Sequence, residues 1–312
     1  MFKMKFFLSF IFRFLLPLRA ACCWTRRKCF QAEAGILQWL QRHREKFVFY
    51  VHHIWAIFIL FLIGVIFVYE LWYVLPMLAD TQGIWHKLNW LLGIYIVFNI
   101  LGNWWLAFES NTSVESLSLK RQLPEPGEAH LWHYCPTCQK FVPPRSWHCR
   151  LCNTCILKRD HHCIITGNCI GHNNQRYFLA FLFHLTFGCG VALVYNVMLS
   201  WKNNAFIVAE PILVVGQDYS QDPDLNWKIL IATLVKLNFF LFMVPLLMFV
   251  FQMVMVHRNS SCYMMLDRSY DVGWRRNFDI VLGKRRFWVF LSPTVASPLP
   301  NDGAQWIQKQ FV

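Results

Sequence analysis

The chain has 312 residues, of which 56% are hydrophobic, 17% aromatic and only 15% charged, with a formal net charge of +13. That balance excludes an ordinary soluble globule and points to a protein solvated by lipid. In such a chain the basic excess reads as loops facing the cytosol and anionic lipid, not as a nucleic-acid surface.

In chain order, Met1–Ala21 begins like a signal peptide, with Lys3 and Lys5 ahead of an apolar run. Arg13 and Pro17 interrupt that run, which is too short to span a bilayer, so it reads as an interfacial segment. Cys22, Cys23 and Cys29 follow among Arg26, Arg27 and Lys28, as juxtamembrane acylation candidates. A bilayer core needs about 20 mostly apolar residues in a helix. Four stretches qualify: Phe47–Tyr69, Leu88–Phe108, Tyr177–Leu199 and Ile229–Val256. Trp90, Trp104 and Trp105 lie near the ends of the second, as interfacial belts do. The fourth carries Lys236, Asn238 and Pro245, and Lys236 is close enough to the helix end to snorkel.

Lys and Arg counts set the orientation. Residues 1–46 carry ten, 109–176 carry eight and 257–312 carry eight, whereas 79–87 and 201–227 carry one each. Both termini and the 109–176 loop are therefore expected in the cytosol. The chain divides into a cytosolic segment 1–46, two spans in 47–108, a cytosolic cysteine-rich domain 109–176, two spans in 177–256 and a cytosolic tail 257–312. Pro124, Pro126 and Gly127 mark the linker into the cysteine-rich domain, and no internal repeat is evident. The sequons at Asn111 and Asn259 fall on the cytosolic side and are expected to carry no glycan.

Seven of the twelve cysteines stand in one stretch, CPTCQKFVPPRSWHCRLCNTCILKRDHHCIITGNC, residues 135–169. In a reducing compartment this density means metal or catalysis rather than disulfides. A C-x2-C turn lets two thiolates meet one tetrahedral zinc. The stretch offers Cys135, Cys138, Cys149, Cys152, Cys155, Cys163 and Cys169, together with His148, His161 and His162. Two closed zinc sites use eight ligands, so ten candidates leave two over. With three Cys and one His per site, the spare pair is one Cys and one His, the usual makings of a nucleophile and its base. Spacing alone does not say which pair is spare. His161 and Cys163, two residues apart with Asp160 adjacent, make a plausible one.

The stretch resembles the DHHC family of protein S-acyltransferases. Asp-His-His-Cys stands at 160–163, and the wider pattern runs from Cys135 through Asn174 to Phe178. The resemblance covers roughly residues 47–292, and within the family it is strongest to the divergent twenty-fourth branch of the animal series. It implies a four-helix polytopic membrane protein with a cytosolic two-zinc cysteine-rich domain. It also implies one zinc on Cys135, Cys138, His148 and Cys155, and a second on Cys149, Cys152, His162 and Cys169. Cys163 would be the nucleophile, His161 its base, and Asp160 the group polarising that base. The implied reaction moves palmitate from acyl-CoA, through a Cys163 thioester, to cysteines of membrane-proximal proteins. Arg145, Lys158, Arg159 and Arg176 are candidates for holding the polyanionic CoA. Golgi or endoplasmic reticulum membrane is the expected location.

The chain departs from the family pattern in places. Ile164 stands where the family has Pro, and Gly167 where it has Asn. The short Asp-Pro-Gly motif after the second span is missing. Ser260, Ser261, Cys262 and Tyr263 replace Thr-Thr-x-Glu, so the acidic residue is lost. These changes keep a competing reading in view, a membrane-anchored zinc module that binds partners without catalysis. A cross-braced ubiquitin ligase fits less well, because it leaves His161 and Cys163 without a task. Asn277, at the centre of the aromatic-and-Asn stretch of the tail, is expected to bridge backbone groups of two elements.

Overall fold

The computed structural model describes residues 44–205 and 223–309. The interfacial segment and Cys22, Cys23 and Cys29 lie outside the described residues. The chain forms two compact units, residues 1–51 and 52–312. Of the first, only the opening of helix α1 (Arg44–Tyr69) is described; all the other elements belong to the second.

Four helical stretches are long and apolar enough to cross a membrane: Tyr50–Leu78, Ile84–Glu109, Gln175–Lys202 and Leu225–His257. At a rise of about 1.5 Å per residue each exceeds the roughly 30 Å of a hydrocarbon core. The first runs past its expected end. After Tyr69 the helix continues through a π-helical turn, Glu70–Val74, into α2 (Leu75–Leu78). Glu70 is buried, and its carboxylate accepts a hydrogen bond from Asn196. An acid is tolerated inside a span when it faces a polar partner within the protein. Such a partner is invisible to a hydropathy window. The remaining spans are α3 (Ile84–Glu109), α4 (Gln175–Lys202) and α5 (Leu225–His257). Helix α5 stays continuous through Pro245; Lys236 is exposed on its outer side and Asn238 is buried.

Between α3 and α4 the chain builds three short antiparallel hairpins. Strands β1 (His133–Cys135) and β2 (Lys140–Val142) pair, as do β3 (Trp147–Cys149) with β4 (Thr154–Ile156), and β5 (His161–Cys163) with β6 (Asn168–Ile170). The third hairpin is fastened to the end of α3. Asn168 Nδ2 donates to the carbonyls of Phe108 at 3.0 Å and Ser110 at 2.9 Å, and Asn174 Nδ2 to that of Ala107 at 3.1 Å. The last carbonyls of a helix have no partner in the helix itself, so these amides supply one. Gly171 permits the close approach: a Cβ there would lie 2.6 Å from the Leu157 carbonyl oxygen.

After α5 the chain folds back. Helix α6 (Trp274–Leu282) packs Phe278, Val281 and Leu282 against Leu179 of α4 and Val256 of α5. Asn277, fully buried, donates to the His257 carbonyl and to Asp271, each at 2.7 Å, and accepts from the Val272 amide at 3.2 Å. It thus joins the end of α5 to the 271–272 loop and its own helix.

Candidate functional site: two metal clusters and a thiol centre

The three hairpins repeat with a fixed period. Strands β1, β3 and β5 begin at His133, Trp147 and His161, so successive units are offset by 14 residues (147 − 133 and 161 − 147). Each unit has a cysteine at the end of its first strand: Cys135, Cys149 and Cys163. Four positions later comes a left-handed residue, Gln139 at φ 51°, Asn153 at φ 53° and Gly167 at φ 61°. This repeat was missed in the sequence, although the equal spacing of Cys135, Cys149 and Cys163 carries it. It also explains Gly167: the position needs positive φ, which Gly and Asn both adopt readily.

Side chains alternate across a strand, and the repeat turns that alternation into two Cys/His clusters that could each hold a metal ion. In β3, His148 points to one side and Cys149 to the other. Cys135 and Cys138 of the first hairpin meet His148 and its cross-strand partner Cys155. Cys149 and Cys152 of the second meet His162 and its cross-strand partner Cys169. Within each cluster the ligand atoms lie within 4.8 Å of one another. Cys138 Sγ is 3.3 Å from His148 Nδ1 and 3.6 Å from Cys155 Sγ. His162 Nδ1 is 3.2 Å from Cys152 Sγ and 3.5 Å from Cys169 Sγ. A tetrahedral zinc with S and N ligands has edges of roughly 3.5–3.8 Å, so both donor sets fit that ion. His162 has a further partner that spacing could not reveal. Its Nε2 lies 3.2 Å from His52 Nε2 of α1, a contact of the kind that orients a metal ligand.

A third cluster is not completed. Moving His148 and Cys155 on by two periods gives Arg176 and Phe183, which lie in α4 and are not ligands. Thr166 also stands where the first two hairpins have Cys138 and Cys152. Cys163 is therefore left outside both clusters. His161, two residues earlier in the same strand, shares its face. The Cys163 side packs against Trp104, Ile170 and Phe178, and the His161 ring meets Phe178 edge-on at 5.1 Å.

Asp160 sits behind the pair and is nearly fully buried. Its Oδ2 is 2.6 Å from His161 Nδ1 and accepts from Gln252 Nε2 at 2.7 Å and from the Cys262 thiol at 3.1 Å. Its Oδ1 accepts the Cys262 amide at 2.7 Å. Burial alone would raise the Asp160 carboxyl, but the His161 contact and these donors bring it down to about 2. Burial would lower His161, but Asp160 first and then the neighbouring thiols push it up to about 12. The Cys163 thiol, raised by burial, ends below its ordinary value because of His161 and Thr166. The resulting arrangement is a carboxylate, an imidazolium and a thiol biased toward thiolate. Gln252 and Cys262 belong to it but were not foreseen, since they lie on α5 and just beyond it.

The basic candidates for CoA find other uses. Arg145 is buried; it donates to Asn259 Oδ1 at 3.0 Å and to its carbonyl at 2.6 Å, and lies against the rings of both Tyr270 and Trp306. Lys158 is buried and donates to Gln175 Oε1 at 2.9 Å. Arg176 bonds to the Ser297 carbonyl and to Tyr177 Oη. Arg159, half-buried, donates to the His148 carbonyl at 2.8 Å and lies 4.7 Å over Tyr263. Packing, which a charge count does not register, places Arg145 and Lys158 in the interior. Tyr263, where the family's acid would stand, packs at a tilt against Trp147, with ring centroids 5.2 Å apart.

Comparison with known proteins gives the family. The family model for DHHC palmitoyltransferase matches residues 128–268. The chain is 33% identical over 252 residues to "Probable palmitoyltransferase ZDHHC24" of Rattus norvegicus, covering 76% of this chain and 85% of that one. It is 33% identical over 225 residues to the Homo sapiens protein of the same name, covering 68% and 75%. It is 28% identical over 211 residues to "Palmitoyltransferase PFA3" of Yarrowia lipolytica, covering 57% and 48%. With this extent of similarity and both cysteine-histidine clusters assembled, the chain belongs to the DHHC palmitoyltransferase family and is a protein S-palmitoyltransferase.

Proposed function

We propose that Cys163 is the nucleophile, that His161 serves it as base and acid, and that Asp160 holds His161 in place. The observation that carries this reading is the 2.6 Å contact of Asp160 Oδ2 with His161 Nδ1, in the strand that ends at Cys163, which lies outside both Cys/His clusters; the buried His161 Nε2 makes no other hydrogen bond among the described residues. The Cys163 thiolate attacks the thioester carbonyl of a long-chain acyl-CoA; the C–S bond to CoA breaks, and CoA leaves with a proton from His161. A substrate cysteine then gives its proton to His161 and attacks the acyl-enzyme, returning Cys163 as the thiolate. The chain needs an apolar home. Ile63, Leu92, Ile96, Ile100, Leu185 and Val191 belong to the apolar cluster that includes Cys163, and they also line a cavity among the helices.

Cys135, Cys138, His148 and Cys155 would hold one structural zinc, and Cys149, Cys152, His162 and Cys169 the other. Bound there, zinc supplies cross-links between hairpins that hold β5 in place. The substrates are proteins with acceptor cysteines near the membrane. The 109–176 region and the tail from 257 face the cytosol, a reading supported by the Lys and Arg asymmetry. Golgi or endoplasmic reticulum membrane is the proposed location, in keeping with the family resemblance.

Intact-protein mass spectrometry after incubation with palmitoyl-CoA tests the central claim. Wild type should carry one hydroxylamine-labile acyl group on Cys163, and Cys163→Ala none, with zinc content and melting temperature unchanged. A wild type that takes no acyl group while its zinc sites are full would favour the non-catalytic zinc module.

A further inference from the structure

Asp160 is the near end of a buried polar chain that crosses three elements. Gln252 Nε2, from α5, donates to Asp160 Oδ2 at 2.7 Å. Gln252 Oε1 accepts from Gln175 Nε2, at the start of α4, at 3.4 Å. Gln175 Oε1 accepts from Lys158 Nζ at 2.9 Å. All four side chains are 1–2% exposed. Such interior polar groups are costly unless each is satisfied, so chains of this kind are all-or-none in effect.

The two ends dictate what lies between them. An ionised carboxylate can only accept, and at the other end the Lys158 amine donates to Gln175 Oε1. Gln175 must turn its oxygen to Lys158, which leaves its NH2 for Gln252. Gln252 must then turn its oxygen to Gln175, which leaves its NH2 for Asp160. Both amides are thus held in one of their two orientations, and an NH2 rather than a carbonyl oxygen faces the carboxylate. The Gln252 contact joins that of the Cys262 thiol on Oδ2, the oxygen that meets His161, while Oδ1 accepts the Cys262 amide.

We propose that Lys158, Gln175 and Gln252 are positioning residues for the acyl transfer, acting through Asp160 on His161 and so on the Cys163 thiolate. This rests on the reading of Cys163 as nucleophile. Lys158 thereby acquires a role unlike CoA binding: its buried amine is the donor that ends a relay whose other end is the carboxylate behind the base.

Replacing the glutamines by methionine keeps their length and removes the hydrogen bonds. Two rates are read at one pH, with zinc content as control: alkylation of Cys163 by iodoacetamide, and acyl-enzyme formation from palmitoyl-CoA. Gln252→Met should slow both by about tenfold, the scale of one lost hydrogen bond to a charged group. Gln175→Met and Lys158→Met should slow them in the same sense. The double variant Gln175→Met/Gln252→Met should be no slower than Gln252→Met alone, because one chain is broken once. Wild-type rates in Gln175→Met, or effects that multiply in the double variant, would overturn the relay. If Lys158→Met loses zinc or folded protein, the two glutamine variants decide the matter by the same criteria. A Cys163→Ala protein that still forms acyl-enzyme would sink the nucleophile assignment instead, and the relay with it; slowed variants beside an inert Cys163→Ala support both.

Discussion

His161 and His162 are neighbours in one strand with different surroundings. His162 faces Cys149, Cys152 and Cys169, and His161 faces Asp160 and the thiols. Their alanine variants should therefore part company. His161→Ala should retain two zinc ions per chain and acylate about 10²–10⁴ times more slowly, the usual worth of a positioned acid–base group. His162→Ala should lose one zinc and folded protein together, which metal analysis beside a melting curve would register. Both variants keeping full zinc would count against the ligand assignment. The same geometry predicts a pH effect. Burial raises the Cys163 thiol, but His161 outweighs it, so the net shift is downward. A lowered thiol keeps its thiolate as pH falls. Iodoacetamide should thus alkylate Cys163 well below the ordinary cysteine value of about 8.5. In His161→Ala that limb should move upward; an unmoved limb would mean that His161 does not tune the thiol.

At the level of elements, the repeated hairpin does the arranging. Its turn demands a left-handed residue, and Gly167 meets the demand in the third copy. A Cβ at Gly167 would meet nothing closer than Phe108 at 3.6 Å, so substitutions there act through backbone strain and not through a clash. Gly167→Asn should be nearly neutral. Gly167→Val should cost about 1–2 kcal/mol, the penalty for a left-handed residue with a branched Cβ. It should also displace Cys163, four residues earlier in the same turn. Thermal melting and the acylation rate of the two variants check this, and equal stability would contradict the strain argument. Glu115 adds a tie between two hairpins, accepting from Lys140 of β2 and, at 2.7 Å, from Thr154 of β4. Being half exposed, it contributes little on its own.

Across residues 52–312 the tail after α5 closes the structure over the cysteine-rich region. Asn259 holds Arg145, Cys262 holds Asp160, and Trp306 covers Arg145 at 4.3 Å. Asn277 fastens the return with three hydrogen bonds, so Asn277→Ala should lower stability by about 1–3 kcal/mol through unsatisfied buried partners. It should also reduce activity, since Cys262 lies on the segment that it secures. An unchanged melting temperature would refute the fastening role. Orientation is tested in cells. Glycan at Asn111 would place that loop in the lumen, against the expected cytosolic side. Asn259 is a poorer reporter, because its amide is buried and bonded to Arg145 and the Tyr270 carbonyl.

Much of this was legible in the sequence because it is local. A span announces itself by about 20 consecutive apolar residues, and a metal turn by two cysteines three apart. Those signals located four apolar helices and the ten Cys and His of the cysteine-rich stretch. What sets Asp160 in place is not local. Gln252 and Cys262 reach it from 92 and 102 positions away, and His52 reaches His162 across 110. Nothing in the composition around Gln252 distinguishes it from any polar residue near a membrane interface. The end of the first span was misplaced for the same reason, since the partner of Glu70 inside the protein, Asn196, stands 126 residues later. So too were the buried basic residues Arg145 and Lys158, for side-chain type is a property of the residue while burial belongs to the packed fold. Only the tertiary structure decides which distant polar groups are brought into one interior, because there each must find a partner or destabilise the whole.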